Sequence, residues 1–350
     1  MSAIQNPKLF RDSLTRWFKK YGRNLPWRDT CDPYAIWISE IMLQQTQVVT
    51  VLDYYRRWMK RFPDFATLAA ASEADVLGLW QGLGYYSRAR NVHSAARVVI
   101  KEHAGKMPAS LMDIRKLPGI GRYTAGAIST FAFDEPEPIV DANIARVLAR
   151  LLNLGIPIDS TAGQAALWDE AAALQPESNA RLYNSALMEL GALICLPRSP
   201  KCTVCPVKKH CAAVNPEALP VKKPRRKTVK LTENAAWIVK GGSILLQQQT
   251  GVRWRGLWKL PTFNPSPTAD QQILPTPLLQ LTYPFTHHRV MLSIFRQSAP
   301  ATNGTDQSWF KMSSLEQLAM TAPHRRAVEQ LLAAKITGRI KNIKRLIGLP

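Results

Sequence analysis

The sequence is short of acid. Its 350 residues hold 25 Asp and Glu against 46 Lys and Arg, a formal net charge of +21. A chain this cationic is drawn to polyanions, because each phosphate it neutralises releases condensed counterions. An acidic membrane surface is the other acceptor for such charge. Long apolar runs are missing too. No stretch reaches the roughly 18 residues a membrane span needs. Residues 1–20 mix charges with Leu9, Phe10, Leu14, Trp17 and Phe18 instead of forming a leader-like apolar block. The expectation is a protein without membrane contact, in the cytoplasm. Cysteine is scarce at five residues, with Cys31 alone and the rest within 195–211. A secreted disulfide framework spreads its cysteines along the chain, so this crowding points to a metal. No internal repeat is present.

What is there is an ordinary globular composition, 46% apolar, and length for two or three domains. Residues 1–215 read as helical. Asn6 before Pro7 makes a cap and first turn, and Gly22 a stop. Further helices are expected over Pro33–Leu43, Thr46–Arg61, Ser72–Leu79, Ser87–Glu102, Ser110–Lys116, Thr124–Phe131, Asn143–Leu152 and Arg181–Ile194. Within the seventh of these, Ile144, Val147, Leu148 and Leu151 form one buried stripe. Residues 216–230 are rich in Pro and basic side chains and read as a linker. Beyond it, 231–335 reads as α+β. Ala235–Val239 and Ser243–Leu246 flank a turn at Lys240-Gly241-Gly242, Leu278–Tyr283 and Arg289–Phe295 are strands, and His324–Ala334 is a helix. Residues 336–350 are a basic tail, a candidate phosphate-binding segment.

Cys195, Cys202, Cys205 and Cys211 follow a C-x6-C-x2-C-x5-C pattern. Four thiolates so close can wrap one iron–sulfur cubane. Zinc is the competing metal, although a zinc ribbon shows two separated C-x2-C pairs. The spacing resembles the cluster loop of the helix-hairpin-helix DNA glycosylases, the superfamily of endonuclease III and the MutY-type adenine glycosylases. The resemblance implies a [4Fe-4S] cluster that folds a DNA-touching loop, with Arg198, Lys201, Lys208 and Lys209 as its basic contacts.

Other segments carry the same resemblance. Leu117-Pro118-Gly119-Ile120-Gly121-Arg122 is a Gly-rich turn that aims backbone N–H groups from a helix start, a phosphate-binding geometry or an ordinary interhelical loop. It is similar to the family's hairpin, which implies DNA contacts at Gly119 and Gly121. Asp141 precedes a strong helix and suits an N-cap. Val140-Asp141-Ala142-Asn143 also matches the family's catalytic segment, where a carboxylate stabilises the positive charge that grows on the sugar. Endonuclease III-like members carry an amine nucleophile where this chain has Tyr123, so the resemblance implies hydrolysis by water. Tyr123 and Asn143 would orient sugar or water.

Glu40 stands among apolar neighbours in Trp37-Ile38-Ser39-Glu40-Ile41-Met42. It sits either on a solvated helix face or in a desolvated site that keeps it protonated. The segment resembles the MutY family's, in which this glutamic acid protonates the adenine ring. By the same resemblance Gln44, Gln45 and Thr46 meet the DNA, Arg23, Trp27 and Arg28 line the adenine pocket, and Tyr85 of Gly82-Leu83-Gly84-Tyr85-Tyr86 intercalates. Base flipping costs a few kcal/mol, which such wedges help offset. The C-terminal segment resembles the family's Nudix-like domain. There Phe285-Thr286-His287 fits the element that reads 8-oxoguanine, with Thr in place of Ser. The paired glutamates of true Nudix hydrolases are absent after Gly256-Leu257-Trp258.

The expectation is thus a mainly α helix-hairpin-helix glycosylase domain with an iron–sulfur loop at 195–211, plus an α+β Nudix-like domain. It would be a monomer that acts on double-stranded DNA carrying adenine mismatches and releases adenine opposite 8-oxoguanine or guanine. A bifunctional pyrimidine-lesion glycosylase, a non-catalytic iron–sulfur DNA-binding protein and a nucleotide-cleaving Nudix enzyme are the rivals. Tyr123 argues against the first, the two acidic segments against the second and the missing glutamates against the third.

Overall fold

The computed structural model describes residues 2–224, 227–251, 254–264 and 276–336. They form two compact units, Met1–Ala71 with Arg90–Pro224, and Ser72–Ala89 with Arg225–Pro350. Residues 72–89, expected within a first domain that runs unbroken to 215, group with the second unit. The tail beyond Ile336 lies outside the described residues.

The helices are α1 (Pro7–Tyr21), α2 (Pro33–Leu43), α3 (Val48–Arg61), α4 (Phe65–Ala70), α5 (Glu73–Trp80), α6 (Ser87–Glu102), α7 (Leu111–Lys116), α8 (Arg122–Phe133), α9 (Ala142–Leu151), α10 (Thr161–Ala173) and α11 (Ala180–Leu193). Asn6 caps α1 through its side chain, which accepts from the Leu9 N–H at 3.1 Å. Gly22 ends α1 in extended backbone, φ −62°, not in the left-handed form typical of glycine caps. Close approach explains it, since a Cβ there would lie 2.7 Å from Phe18. Neither α4 nor α10 was expected. The first is a single short turn and a half; the second, rich in alanine, offers only Leu167 and Trp168 as large buried anchors.

Residues Tyr34 to Met42 of α2 are buried on every side. Such a helix is an interior element, not an amphipathic surface one. It packs on α3 and α8, while α11 packs on α1, α8 and α9. Phe10, Leu14, Ile144, Leu148, Leu187 and Leu190 share the main core, each contributing about 1.5–3 kcal/mol by burial.

The expected linker is partly structured. Ile158 N–H donates to Val221 O at 2.9 Å, Arg150 Nε to Leu219 O at 3.1 Å, and Lys223 N–H to Asp159 Oδ1 at 2.9 Å. Those bonds fix residues 219–223 to the first unit, and the first strand already begins at Val229.

In the second unit the strands are β1 (Val229–Trp237), β2 (Val239–Lys240), β3 (Ser243–Gln248), β4 (Trp258–Lys259), β5 (Thr262–Phe263), β6 (Leu279–Phe285), β7 (His288–Arg296) and β8 (Gln307–Lys311), followed by α12 (Ala322–Ile336). One sheet runs β5-β1-β7-β6; the other runs β2-β3-β4, with β8 on β3. The pair β1–β7 is parallel, from Val229 beside His288 to Trp237 beside Arg296. Ala235–Val239 is therefore not one strand: the chain leaves β1 at Trp237, and β2 alone forms the expected hairpin with β3. Ala327, Val328 and Leu331 of α12 close the core over Val290, Leu292 and Ile294.

Candidate active site

A cavity of about 790 Å³ opens in the first unit. Its lining includes Arg23, Trp27, Arg28, Glu40, Gln44, Gln45, Thr46, Tyr123, Asp141 and Asn143, so ten of the residues singled out in the sequence meet there.

Glu40 projects from the buried helix α2 and is 5% exposed. That excludes the solvated-face reading. The Tyr123 hydroxyl, in the first turn of α8, donates to its Oε2 at 2.9 Å. Burial pushes the Glu40 carboxyl up to about 7; the Tyr123 bond opposes this, the Asp141 charge adds to it, and Arg28 pulls it back. The Tyr123 phenol is raised well above its usual range by burial first, then by Glu40. It stays a neutral donor.

Asp141 caps α9. Its Oδ1 accepts from the Ile144 N–H at 2.7 Å and its Oδ2 from Asn143 Nδ2 at 3.1 Å. Burial raises this carboxyl as well, but the bonds from Ile144 and Asn143 and the Arg146 charge favour its anion. Arg146 reaches further, from Nη2 to Asn143 Oδ1 at 2.9 Å and from Nε to Cys195 O at 2.8 Å.

The residue sequence reasoning missed is Glu189 of α11. Its side chain is fully buried and takes both predicted pocket arginines. Arg23 donates from Nε at 2.7 Å and Nη2 at 2.8 Å, and Arg28 from Nη2 at 2.9 Å. Burial alone would raise the Glu189 carboxyl, but those arginine bonds override it and hold it at about 2. The signal was available: an acid inside Ala186-Leu187-Met188-Glu189-Leu190 is the same pattern that drew notice to Glu40. Arg181 also lines the cavity and braces its wall, donating to the carbonyls of Arg28 and Thr30.

At the cavity mouth Gln44 ends α2 and donates from Nε2 to Thr124 Oγ1 at 3.3 Å. Gln45 is exposed with φ +59°, a left-handed conformation costly for a non-glycine residue and concentrated at functional sites. The hairpin between α7 and α8 lies apart from the cavity lining. Gly119 there has φ +77°, and a Cβ would fall 2.5 Å from Asn91. Gly121 precedes α8 with no side-chain cap.

Two predicted DNA-reading segments belong to the second unit. Tyr85 is 60% exposed with φ +48°. Arg88 clasps its loop by donating from Nη2 to Leu83 O at 3.0 Å, with its guanidinium 5.6 Å from the Tyr85 ring centre. Thr286 is exposed with φ +51° in the turn between β6 and β7. Its hydroxyl lies 3.3 Å from His288 Nδ1.

The cysteines follow α11. Cys195, Cys202 and Cys205 are half-buried and Cys211 is exposed. Burial pushes the Cys205 thiol up to about 11, with Cys195, Cys211 and Cys202 adding to it, so the four stand within electrostatic reach of one another. Arg150 Nη1 lies 3.2 Å from Cys195 Sγ. Among the described residues no three His, Cys, Asp or Glu side chains are close enough to hold a single metal ion. No helix among them is long and apolar enough to cross a membrane.

These features have relatives. A family described as HhH-GPD superfamily base excision DNA repair protein matches residues 38–167, the stretch that holds Glu40, Tyr123 and Asp141. A solved structure of a thermostable thymine-DNA glycosylase is 32% identical with a TM-score of 0.55, covering 59% of this chain and 95% of that one. The adenine DNA glycosylase of Buchnera aphidicola subsp. Baizongia pistaciae is 38% identical over 261 residues, 73% of this chain and 74% of the relative. That of Mus musculus is 44% identical over 221 residues, 61% of this chain but 43% of the mouse protein. This chain therefore spans less than half the length of the mammalian relative it matches. It belongs to the MutY-type adenine DNA glycosylase family of the helix-hairpin-helix superfamily.

Proposed function

We propose that the chain is a monofunctional adenine DNA glycosylase that hydrolyses the N-glycosidic bond of adenine opposite 8-oxoguanine or guanine in duplex DNA. The observation that carries this reading is the shared cavity of Glu40 and Asp141, two buried carboxyls with different hydrogen-bond partners. Glu40, buried and hydrogen-bonded to a neutral phenol, holds a proton near neutrality and passes it to a ring nitrogen of the extruded base. Asp141, gripped by an amide and a backbone N–H, stays anionic beside the sugar and stabilises the charge that develops as the bond breaks. Tyr123 donates to Glu40 Oε2, which leaves the other carboxyl oxygen to carry the proton. Asn143 fixes Asp141. Arg23, Trp27 and Arg28 shape the base pocket, the arginines held by Glu189. With no lysine at the Tyr123 position, water is the nucleophile and strand cutting is not expected.

Gln45 and Tyr85, both exposed and left-handed, are the wedges offered to the base stack, and the Gly119–Gly121 hairpin and the uncapped start of α8 are the phosphate cradle. The second unit, read as Nudix-like, would inspect the opposite base through Phe285, Thr286 and His287. Cys195, Cys202, Cys205 and Cys211 would hold a [4Fe-4S] cluster. Four thiols that sense one another, in a C-x6-C-x2-C-x5-C spacing unlike the paired C-x2-C of a zinc ribbon, suit a cubane. Bound there, the cluster supplies folding free energy to the basic loop.

The test is to incubate the chain with duplexes carrying adenine opposite 8-oxoguanine, guanine or thymine and to measure free adenine, then strand breaks before and after alkali. Free adenine from the first two, with breaks only after alkali, is expected. Strand cutting without alkali would instead favour the bifunctional class, and binding with no released base the non-catalytic one. Iron and sulfide content of the purified chain tests the cluster; stoichiometric zinc would refute it.

A further inference from the structure

The sheet β5-β1-β7-β6 has one face covered by α12 and another that faces solvent at its open end. Register decides what stands there. Lys230 on β1 lies beside Arg289 on β7, which lies opposite Pro284 on β6. Next along the same face come Thr232, Met291 and Thr282, all exposed, with Met291 at 42%. Side chains of partnered residues point the same way, so Lys230 and Arg289 are like charges on strands about 4.8 Å apart. Among the described residues neither forms an ion pair, and no position on this face of β1, β7 or β6 is Asp or Glu. The one carboxylate of β1, Glu233, has the opposite parity and accepts from the Tyr283 hydroxyl at 2.6 Å.

Two cations in register with no anion between them cost stability in the free protein. They are useful if an external anion completes them. The face also runs into the exposed turn at Thr286, so a strand whose base lies at that turn would bring its phosphates over Arg289 and Lys230.

We propose that this sheet face, centred on Lys230 and Arg289, is a docking surface for the phosphate backbone of duplex DNA, with Met291 as an apolar contact for sugar. The inference rests on the reading of the chain as a DNA glycosylase and adds a place where the second unit grips the duplex without reading sequence.

The test compares Lys230→Gln, Arg289→Gln and the double variant with Lys240→Gln, a control at an exposed lysine of β2. Affinity for a fully paired duplex and for one with adenine opposite 8-oxoguanine is measured by anisotropy between about 0.05 and 0.4 M salt. Each substitution on the face should lower the slope of log affinity against log salt by about 0.9. At 0.1 M salt that is about an eightfold loss per charge, with the control unchanged. Thermal midpoints should hold or rise, because repulsion is relieved. Parental slopes, an equal loss in the control, or midpoints that fall together with affinity would overturn the proposal. So would intact duplex slopes accompanied by lost binding to phosphatidylserine vesicles or to a polyglutamate peptide. Adenine release by the parent chain is scored separately. Its absence sinks the glycosylase reading, while the fully paired duplex still judges the face.

Discussion

Glu40 and Glu189 are the same residue, both buried, both lining one cavity, and the protein drives them in opposite directions. Glu40 meets one phenol and is pushed up to about 7. Glu189 meets two guanidiniums and is held at about 2. Burial penalises both anions, and the neighbours decide which carboxyl keeps its proton. One is left able to give a proton away. The other is a fixed anion that keeps two arginines in place.

The largest expected effect comes from removing the proposed proton donor. Glu40→Gln should slow adenine release on the order of 10²–10⁴-fold in single-turnover assays while duplex affinity persists. Retained turnover would contradict the assignment. Next is Glu189→Gln, which strands Arg23 and Arg28 without their anion. Breaking a buried ion pair from one side costs about 3–5 kcal/mol, and the low end applies because Arg23 is partly exposed. Denaturant titration should show that loss; an unchanged midpoint would mean that the arginines do not depend on Glu189.

The pH profiles sharpen the contrast. Adenine release should fall as pH climbs through about 7, where Glu40 deprotonates. Tyr123→Phe removes a bond that favours the Glu40 anion, so that limb should move to higher pH. Stability follows the opposite signs. Glu40 is raised above its ordinary 4.5, so unfolded chains ionise first and its contribution is lost as pH rises from about 4.5 to 7. Glu189 is depressed, so its contribution is present above about 4.5 and is lost as pH falls toward 2. The decline in stability between about pH 4.5 and 7 should shrink in Glu40→Gln and persist in Glu189→Gln. The smallest effect is expected outside the cavity. Arg88→Gln loosens the loop that presents Tyr85 and should weaken duplex affinity by about 1 kcal/mol, part of one aromatic–base stack.

Much of this was legible because the first unit is built from periodic helices. The bounds of α2 and α6 follow from their apolar spacing and flanking residues, and the ten cavity residues came from short segments that a resemblance could place. Glu189 was legible only as an acid inside an apolar run; its role was not, because it depends on two arginines some 160 positions earlier in the chain. The second unit yielded less. β1 finds its long parallel partner β7 across more than fifty residues, and nothing local to Val229–Trp237 specifies that pairing. β4 and β5, two residues each, exist only because the sheets accept them. Residues 72–89 look like any helix and loop in sequence; only tertiary contact assigns them to the second unit.

Asp141 begins α9 with the same oxygen atoms that would face the sugar. A mutation that discards the carboxylate for a hydrocarbon therefore unpins a helix as it removes a charge. The tolerated detour is asparagine, equally able to start a helix but electrically neutral. Drift at this position is thus channelled: the lineage can fall silent through one substitution while keeping its architecture, and a folded but inert descendant is the natural form in which this activity would be lost.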